Sequence, residues 1–428
     1  MDRLSSSSIK PMPKIGIASS IPPTRVIRKL DTTRKAENIS FVKAPVLCKM
    51  PLLILLAFVF KFKPKGFFQK YTIRNNKSCY VRILNTFIHL VKIENIELRD
   101  KPLLLAPMED ITDPSFRYIC KKFGADLMYT EFISSDGLIR DGRKSVRKLD
   151  IFDYERPMGI QLYGHVTESM VEAARMAESS GPELIDLNFG CPVKKISNRG
   201  AGSGMFRNIP LMKEMAGEIV KTTSLPVTVK TRLGWDESSK PIVEVAEMLQ
   251  DSGIKAITIH GRTRAQMYKG AADWSMIGEV KNNQRMKIPV FGNGDIDSPG
   301  KAKTMFDRYG VDGIMIGRAT VGQPWIFREI RHYLDTGELL PPPSLYEKSR
   351  IAREHFLKSI ERKGEKVGIL QMRRHFVAYF KGLVNFKETR LKLLTSLDPE
   401  HILSIIDSIP IHFREVNVCT NSTDQMQL

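Results

Sequence analysis

Eight short apolar runs, separated by segments with a helical pattern, constrain the fold of this chain more than any other feature. The runs begin 23 to 43 residues apart, which is room for one strand, one helix and two loops. The segments between them, such as 167–179 and 240–252, repeat apolar residues at intervals of three and four. A doubly wound sheet would alternate in the same way, but eight units in about 220 residues favour a closed α/β (β/α)8 TIM barrel. The runs are 103–106, 127–130, 158–162, 184–188, 227–231, 256–260, 290–292 and 313–316.

Polar or reactive residues lie at the end of every run. Active sites of this barrel form where the carboxyl ends of the strands meet, so these residues predict a site at that mouth. Lys230 stands inside an otherwise apolar strand, where a cation is costly without an anionic partner. The residues are Pro107, Met108, Glu109, Asp110, Glu131, Gln161, Asn188, Cys191, Lys230, Arg232, His260, Arg262, Asn293, Gly294, Asp295, Gly317 and Arg318.

Two glycine-bearing turns follow the last two runs, at 292–296 and 316–319. This fold often binds phosphate there, through backbone N–H groups that glycine leaves unobstructed and through the N-terminus of a following helix. The two turns together predict a phosphate-bearing ligand.

The five cysteines show neither a disulfide framework nor the spacing of a metal site, which indicates a reducing compartment and no metal. Cys191 lies on a loop directly past the fourth run, where a scaffold can present a side chain to a ligand. A lone cysteine is more often a small buried hydrophobe, so its position alone leaves both readings open.

Most of the net charge of +19 belongs to the first part of the chain. Residues 1–90 hold 17 Lys and Arg against 3 Asp and Glu, a net of +14, which leaves +5 for the remainder. We expect 1–91 to be a basic, disordered extension outside the folded core, and the start assignment could be too long, with Met50 as an alternative. The apolar run 51–60 is too short to span a bilayer, so we expect no stable membrane association, although a surface anchor stays open.

A basic helical segment follows the barrel. After the prolines at 341–343, residues 345–410 carry a helical pattern and no strand signal, and 411–428 read as a flexible tail. Residues 348–392 hold 13 Lys and Arg against 4 Asp and Glu. Interleaved with them are Phe376, Tyr379, Phe380 and Phe386, and this combination is typical of a nucleic-acid surface. The chain thus divides into a barrel at 92–335 and a smaller all-helical C-terminal domain.

From about residue 92 to about 408 the chain resembles the tRNA-dihydrouridine synthases, most closely their B-type bacterial branch. Small departures are Arg199 and Ser203, where Lys and Ala are expected. The matching motifs are Ala-Pro-Met-Glu-Asp-Ile-Thr-Asp at 106–113, Gln-Leu-Tyr-Gly at 161–164, Asp-Leu-Asn-Phe-Gly-Cys-Pro-Val-Lys-Lys at 186–195, Val-Lys-Thr-Arg-Leu-Gly-Trp at 229–235, His-Gly-Arg-Thr at 260–263, Gly-Asn-Gly-Asp-Ile at 292–296 and Ile-Gly-Arg-Ala at 316–319.

The resemblance implies a cytoplasmic FMN enzyme, without an obligate protein partner, that reduces the C5=C6 bond of uridines in tRNA with NADPH or NADH as reductant. It implies that hydride from reduced flavin adds at C6, that Cys191 gives the proton at C5, and that Asn188 orients the uracil. His260 either approaches the ligand or is a satisfied barrel histidine. Contacts to FMN are implied for Pro107, Met108, Glu109, Gln161, Lys230, His260, Asn293, Gly294, Asp295, Gly317 and Arg318, and contacts to tRNA for Arg373, Arg374 and Lys381.

Two other functions remain open on the sequence. A flavin enzyme acting on a free pyrimidine, such as a dihydroorotate or dihydropyrimidine dehydrogenase, would share the barrel but would not need the basic C-terminal helices. A non-catalytic RNA-binding protein would not need Cys191, Lys230 and both phosphate turns.

Overall fold

The computed structural model describes residues 90–413, which belong to one compact unit. The predictions for the basic extension, for the apolar run 51–60 and for most of the C-terminal tail lie outside the described residues. Within 90–413, no helix is both long and apolar enough to cross a membrane.

Nine strands build a parallel sheet that closes into a barrel. The strands are β3 (Leu103–Leu105), β4 (Met128–Tyr129), β5 (Ile133–Ser134), β6 (Met158–Tyr163), β7 (Leu184–Phe189), β8 (Val227–Arg232), β9 (Ala256–His260), β10 (Val290–Asn293) and β11 (Gly313–Ile316). Around the barrel their order is β3, β11, β10, β9, β8, β7, β6 and β4, and β5 pairs with the carboxyl end of β6. The ring closes between its first and last members, where Leu104 bridges to Leu127 and the N–H of Leu105 donates to the Leu127 carbonyl at 3.0 Å. The predicted TIM barrel is therefore confirmed.

A short antiparallel hairpin, β1 (Val91–Ile93) and β2 (Ile96–Leu98), precedes the barrel and was not predicted. Its alternating apolar residues are buried in a cluster with residues of the barrel strands, among them Phe291 and Met315. Glu94 at its turn pairs at 3.1 Å with Lys255, which directly precedes β9. The hairpin thus covers the end of the barrel opposite the carboxyl ends of the strands.

Helices cover the outside of the barrel between successive strands. Their apolar faces and the outward faces of the strands form the largest hydrophobic cluster. Side-chain caps define several of the helix starts; Asp113, for example, accepts the N–H of Phe116 at 2.9 Å. The helices are α1 (Pro114–Lys122), α2 (Ser135–Leu138), α3 (Arg143–Arg147), α4 (Thr167–Glu178), α5 (Lys194–Ser197), α6 (Ile209–Thr222), α7 (Ile242–Asp251), α8 (Ser275–Asn282), α9 (Pro299–Tyr309) and α10 (Ile326–Thr336).

Four further helices form the predicted C-terminal bundle: α11 (Leu345–Lys363), α12 (Glu365–Tyr379), α13 (Lys387–Thr395) and α14 (Pro399–His412). The interleaved aromatic residues Phe376, Tyr379, Phe380 and Phe386 are all buried in its core. Our use of them as evidence for a nucleic-acid surface was therefore wrong, because the helical period turns them inward and leaves the basic residues between them outside.

The bundle packs on the first helix of the barrel. The hydroxyl of Tyr118 and the amine of Lys122 both donate to Glu354 of α11, at 3.0 and 2.6 Å, and Ile119 lies in the core of the bundle. This packing brings α12 to the barrel mouth, where Arg374 lies 4.0 Å from Asp110 in the loop after β3.

Candidate active site

A cavity of about 570 Å³ opens at the carboxyl ends of the barrel strands. Of the residues predicted to act as the acid or to contact FMN, the uracil or tRNA, twelve line it, and they come from the carboxyl ends of six strands and from the loops that follow them. Gln161, Arg373, Arg374 and Lys381 do not. The twelve are Pro107, Met108, Glu109, Asn188, Cys191, Lys230, His260, Asn293, Gly294, Asp295, Gly317 and Arg318.

Cys191 lies in the cavity wall on a loop that is held from both sides. The Oδ1 atom of Asn188 accepts the N–H groups of Gly190 and Cys191, at 3.0 and 2.9 Å. The carbonyl of Cys191 accepts the N–H of Ser203 at 3.1 Å and its hydroxyl at 2.7 Å. Burial raises the pKa of the Cys191 thiol, so the group stays protonated at neutral pH and can act as an acid.

Gln161 is fully buried and lies behind Asn188. Its Oε1 atom accepts from Nδ2 of Asn188 at 2.8 Å, and its Nε2 atom donates to Oδ2 of Asp186 at 2.6 Å. Both ends of the predicted flavin ligand are therefore engaged with protein groups. The side chain of Asn188, predicted to orient the uracil, is likewise used to hold the Cys191 loop.

Lys230 enters the cavity from β8, beside Asn188 on the neighbouring strand. Its amine donates to Oδ1 of Asn293 at 3.2 Å, and no carboxylate among residues 90–413 lies within ion-pair distance of it. Burial, together with the charge of Arg232, lowers the pKa of Lys230 to about 8. An anionic ligand in the cavity would relieve this cost.

Asp295 and two arginines form a charged cluster on the segments that follow β9, β10 and β11. The Asp295 carboxylate accepts from Arg262 at 2.6 Å and from Arg318 at 2.9 Å. Arg262 also lies 3.2 Å from Nε2 of His260, and because an arginine only donates, that ring nitrogen accepts. Burial and the surrounding cations lower the pKa of His260 well below its usual value, so it is neutral. His260 thus both lines the cavity and is a satisfied barrel histidine.

The absence of a side chain has a different consequence at the glycines of the two turns, Gly294 and Gly317. Gly294 has φ of +134°, and a Cβ there would lie 2.6 Å from the Cβ of Ala272, so the backbone itself requires glycine. Gly317 has φ of −115°, and a Cβ there would meet no protein atom closer than 3.4 Å. No neighbouring atom excludes a Cβ at Gly317, and the absence of a side chain keeps that part of the cavity open.

Tyr268 is a cavity residue that the sequence analysis missed. It is 53% exposed on the loop after β9, and the guanidinium groups of Arg318 and Arg232 lie 5.0 and 5.7 Å from its ring centre. Arg232 also donates to the carbonyls of Thr263 and Met267 in the same loop, at 2.9 and 2.8 Å. An aromatic residue eight positions past a strand end gave no signal of its own.

A second feature that was missed is a group of basic residues in the segments after β7 and β9, on either side of β8, which we call the basic rim. The ring of Trp235 lies between the guanidinium groups of Arg207 and Arg264, each 4.5 Å from its centre. Within the described part of the chain, no acidic side chain pairs with any rim residue. Because β8 lies four strands from β3 in either direction, the rim faces the helical bundle across the mouth. The rim residues are Lys194, Lys195, Arg199, Arg207 and Arg264.

The fold and the site together define a (β/α)8 barrel enzyme with a protonated thiol beside a cavity suited to an anionic ligand. Residues 104–402 match the family model described as Dihydrouridine synthase (Dus), and the chain belongs to this family of oxidoreductases.

The relatives agree with this assignment. The tRNA-dihydrouridine synthase B of Pseudomonas putida is 42% identical over 303 residues, which is 71% of this chain and 89% of that protein. A protein of Rickettsia bellii described as a probable tRNA-dihydrouridine synthase is 41% identical and aligns over 72% of this chain and 94% of its own length. Among solved structures, a 2-naphthoyl-CoA reductase aligns with a TM-score of 0.47 and 11% identity, over 57% of this chain and 52% of that one, a likeness too distant to inform on function.

Proposed function

We propose that the protein is a tRNA-dihydrouridine synthase that reduces the C5=C6 bond of specific uridines in tRNA, with FMN as cofactor and NADPH or NADH as reductant. The observation that carries the proposal is the buried, protonated Cys191 thiol in the wall of a cavity that also contains a lysine with no carboxylate in ion-pair distance among residues 90–413. The relatives named above, which align over most of their own length, support the choice of tRNA as substrate.

The residues around the cavity fit FMN. The cavity volume of about 570 Å³ suits a ligand of the size of FMN. Lys230 lacks a carboxylate partner and would stabilise negative charge on a reduced flavin, while the open space at Gly317 and the cation of Arg318 suit a phosphate. Pro107, Met108 and Glu109 would line the ring, and bound flavin would supply the hydride for C6 of the uracil.

The role of Cys191 follows from the polarity of the substrate. The C5=C6 bond is conjugated with a carbonyl, so addition of hydride at C6 leaves negative charge toward C5, which must then take a proton. A thiol whose pKa is raised by burial holds its proton until that charge develops. Cys191 is therefore the proton donor.

The substrate must present an extruded base, because a uridine stacked within folded tRNA cannot reach the cavity. Basic residues on both sides of the mouth suit the backbone around such a base: the basic rim on one side, and Arg374 and Lys381 of the bundle on the other. Arg373 is less available, because its Nε atom is buried. On this basis we propose that 345–410 is a tRNA-binding domain and that the protein works in the cytoplasm.

The test is the dihydrouridine content of tRNA from cells that lack the protein, measured by mass spectrometry of nucleosides. Returning the wild-type gene should restore dihydrouridine, and returning Cys191→Ala should not. Cys120→Ala is the control, because Cys120 is also a buried free cysteine but does not line the cavity. Purified enzyme should then reduce unmodified tRNA; activity on free uracil or orotate alone would overturn the proposal in favour of a free-pyrimidine enzyme.

A further inference from the structure

Behind the wall of the active site, buried side chains form a continuous chain of hydrogen bonds that ends at the Cys191 loop. Thr228 donates its hydroxyl to Oδ1 of Asp186 at 2.5 Å, and Gln161 donates Nε2 to Oδ2 of Asp186 at 2.6 Å. Asn188 donates Nδ2 to Oε1 of Gln161 at 2.8 Å and accepts the backbone N–H groups of Gly190 and Cys191 on its own Oδ1. Asp186 itself is 1% exposed and does not line the cavity.

The direction of every hydrogen bond in this series is set by the groups at its two ends, the backbone N–H groups of the loop and the carboxylate of Asp186. A backbone N–H can only donate, so Asn188 must turn Oδ1 toward Gly190 and Cys191 and Nδ2 toward Gln161. Gln161 must then present Oε1 to Asn188, which leaves Nε2 pointing at residue 186. An ionised carboxylate only accepts, so Asp186 suits this orientation of both amides and disfavours the flipped one.

We propose that Asp186 is a positioning residue for the reaction. Its carboxylate fixes the orientation of Gln161 and Asn188, and through them it holds the loop that carries the thiol. The role of that thiol as the acid rests on the proposed function, whereas the control of the loop does not. If Asp186 only joined β7 to its neighbouring strands, reversing the direction of these hydrogen bonds would leave the Cys191 loop unchanged.

The first test reverses the direction of the chain. In Asn188→Asp, the new carboxylate still accepts both backbone N–H groups, but it needs a donor from Gln161. Gln161 can turn to donate only by placing Oε1 against the Asp186 carboxylate, so two acceptors face each other. Adding Asp186→Asn supplies a donor at that point, and every group in the reversed chain is again paired.

The measurement is amide hydrogen exchange, read by mass spectrometry on the peptide that contains Gly190 and Cys191, in the purified full-length protein loaded with FMN. Exchange should be about tenfold faster than wild type in Asn188→Asp and should return to within about threefold of wild type in the double variant. A double variant that exchanges as fast as the single one, or a single variant that exchanges like wild type, would overturn the proposal.

A second pair of variants covers the case in which Asn188→Asp does not fold. Asp186→Leu removes the terminal acceptor in a similar volume, while Thr228→Val removes a donor to the same carboxylate and leaves the direction of the chain unchanged. We expect about tenfold faster exchange in Asp186→Leu than in Thr228→Val. Asp186→Leu should also show a lower kcat for dihydrouridine formation with an unchanged KM for tRNA. Equal exchange in the two variants would contradict the proposal, whereas a wild-type enzyme without activity on tRNA would contradict only the proposed function.

Discussion

At the scale of single residues, the burial of Lys230 without a carboxylate of residues 90–413 in ion-pair distance costs the folded protein stability. A cation at the end of a buried strand, with an amide as its hydrogen-bond partner, has its pKa lowered from 10.5 to about 8. Between these two values the unfolded chain binds more protons than the folded one, so stability of the flavin-free protein rises with pH in that window and is reduced below it. The shift corresponds to about 3 kcal/mol.

We therefore predict that Lys230→Met raises the melting temperature of the flavin-free protein and abolishes retention of the flavin. Methionine fills a similar volume without a buried charge, while a bound anion loses its cation. The measurements are thermal unfolding at pH 7 and the ratio of flavin to protein absorbance after purification. Lys287→Met, at an exposed lysine away from the mouth, should change neither quantity. A destabilised variant that keeps its flavin would show that Lys230 has a structural role.

Gly317 permits a complementary prediction about space. In Gly317→Val the Cβ would meet protein only at ordinary contact distances of 3.4 Å or more, so the folded state should keep its stability to within about 1 kcal/mol. The flavin should be lost, because the valine occupies the volume proposed for its phosphate. Gly217→Val on α6 is the control, because a Cβ there meets nothing within 4 Å and lies away from the cavity. Flavin retention in Gly317→Val would place the phosphate elsewhere.

At the scale of elements, the Cys191 loop is held by the short 3-10 helix Gly202–Arg207 as well as by Asn188. Gly202 has φ of +55°, and a Cβ there would lie 3.0 Å from both the Cβ and the carbonyl oxygen of Cys191. The glycine is thus needed both for its backbone angle and for the space beside the Cys191 loop.

We predict that Gly202→Ala lowers kcat at least tenfold by displacing Cys191, a loss of about 1.4 kcal/mol or more in transition-state stabilisation. Gly181→Ala is a close control, because Gly181 has φ of +73° but no neighbour within 4 Å. Both variants should lose about 1 kcal/mol of stability to the backbone strain. Steady-state kinetics and thermal unfolding measure the two effects, and equal kcat values would show that the contact with Cys191 is unimportant.

At the scale of the whole molecule, the bundle and the basic rim face each other across the barrel mouth. The bundle is held to α1 by Glu354 and by a shared hydrophobic core, so the two basic surfaces keep a defined separation. RNA that enters the mouth between them would meet cations on both sides.

We predict that both sides contribute to tRNA binding. Charge reversal on the rim (Lys195→Glu with Arg199→Glu) and on the bundle (Arg374→Glu with Lys381→Glu) should each weaken binding. Each should also reduce the slope of log Kd against log salt by about 1.5, if each residue contacts one phosphate. Fluorescence anisotropy with labelled tRNA over a KCl series gives both quantities. Lys221→Glu with Lys287→Glu, distant from the mouth, is the control, and a rim variant that binds like wild type would contradict the two-sided surface.

The sequence by itself determined the barrel and the composition of its mouth. Strand boundaries were predicted to within one residue for all eight runs, because alternation of apolar strands and amphipathic helices is a local pattern. Parallel strands bring their carboxyl ends together, so residues that follow different runs, such as Cys191 and Lys230, had to meet.

The tertiary structure decided which partner each polar group has. Gln161 was predicted as a flavin ligand from its strand, yet it bonds to Asp186 and Asn188, some 25 positions away, because the register of β6 against β7 brings them together. The position of the basic rim opposite the bundle was hidden for the same reason. Local patterns report which face of an element is buried, whereas a hydrogen bond or an ion pair depends on what the fold places beside that face.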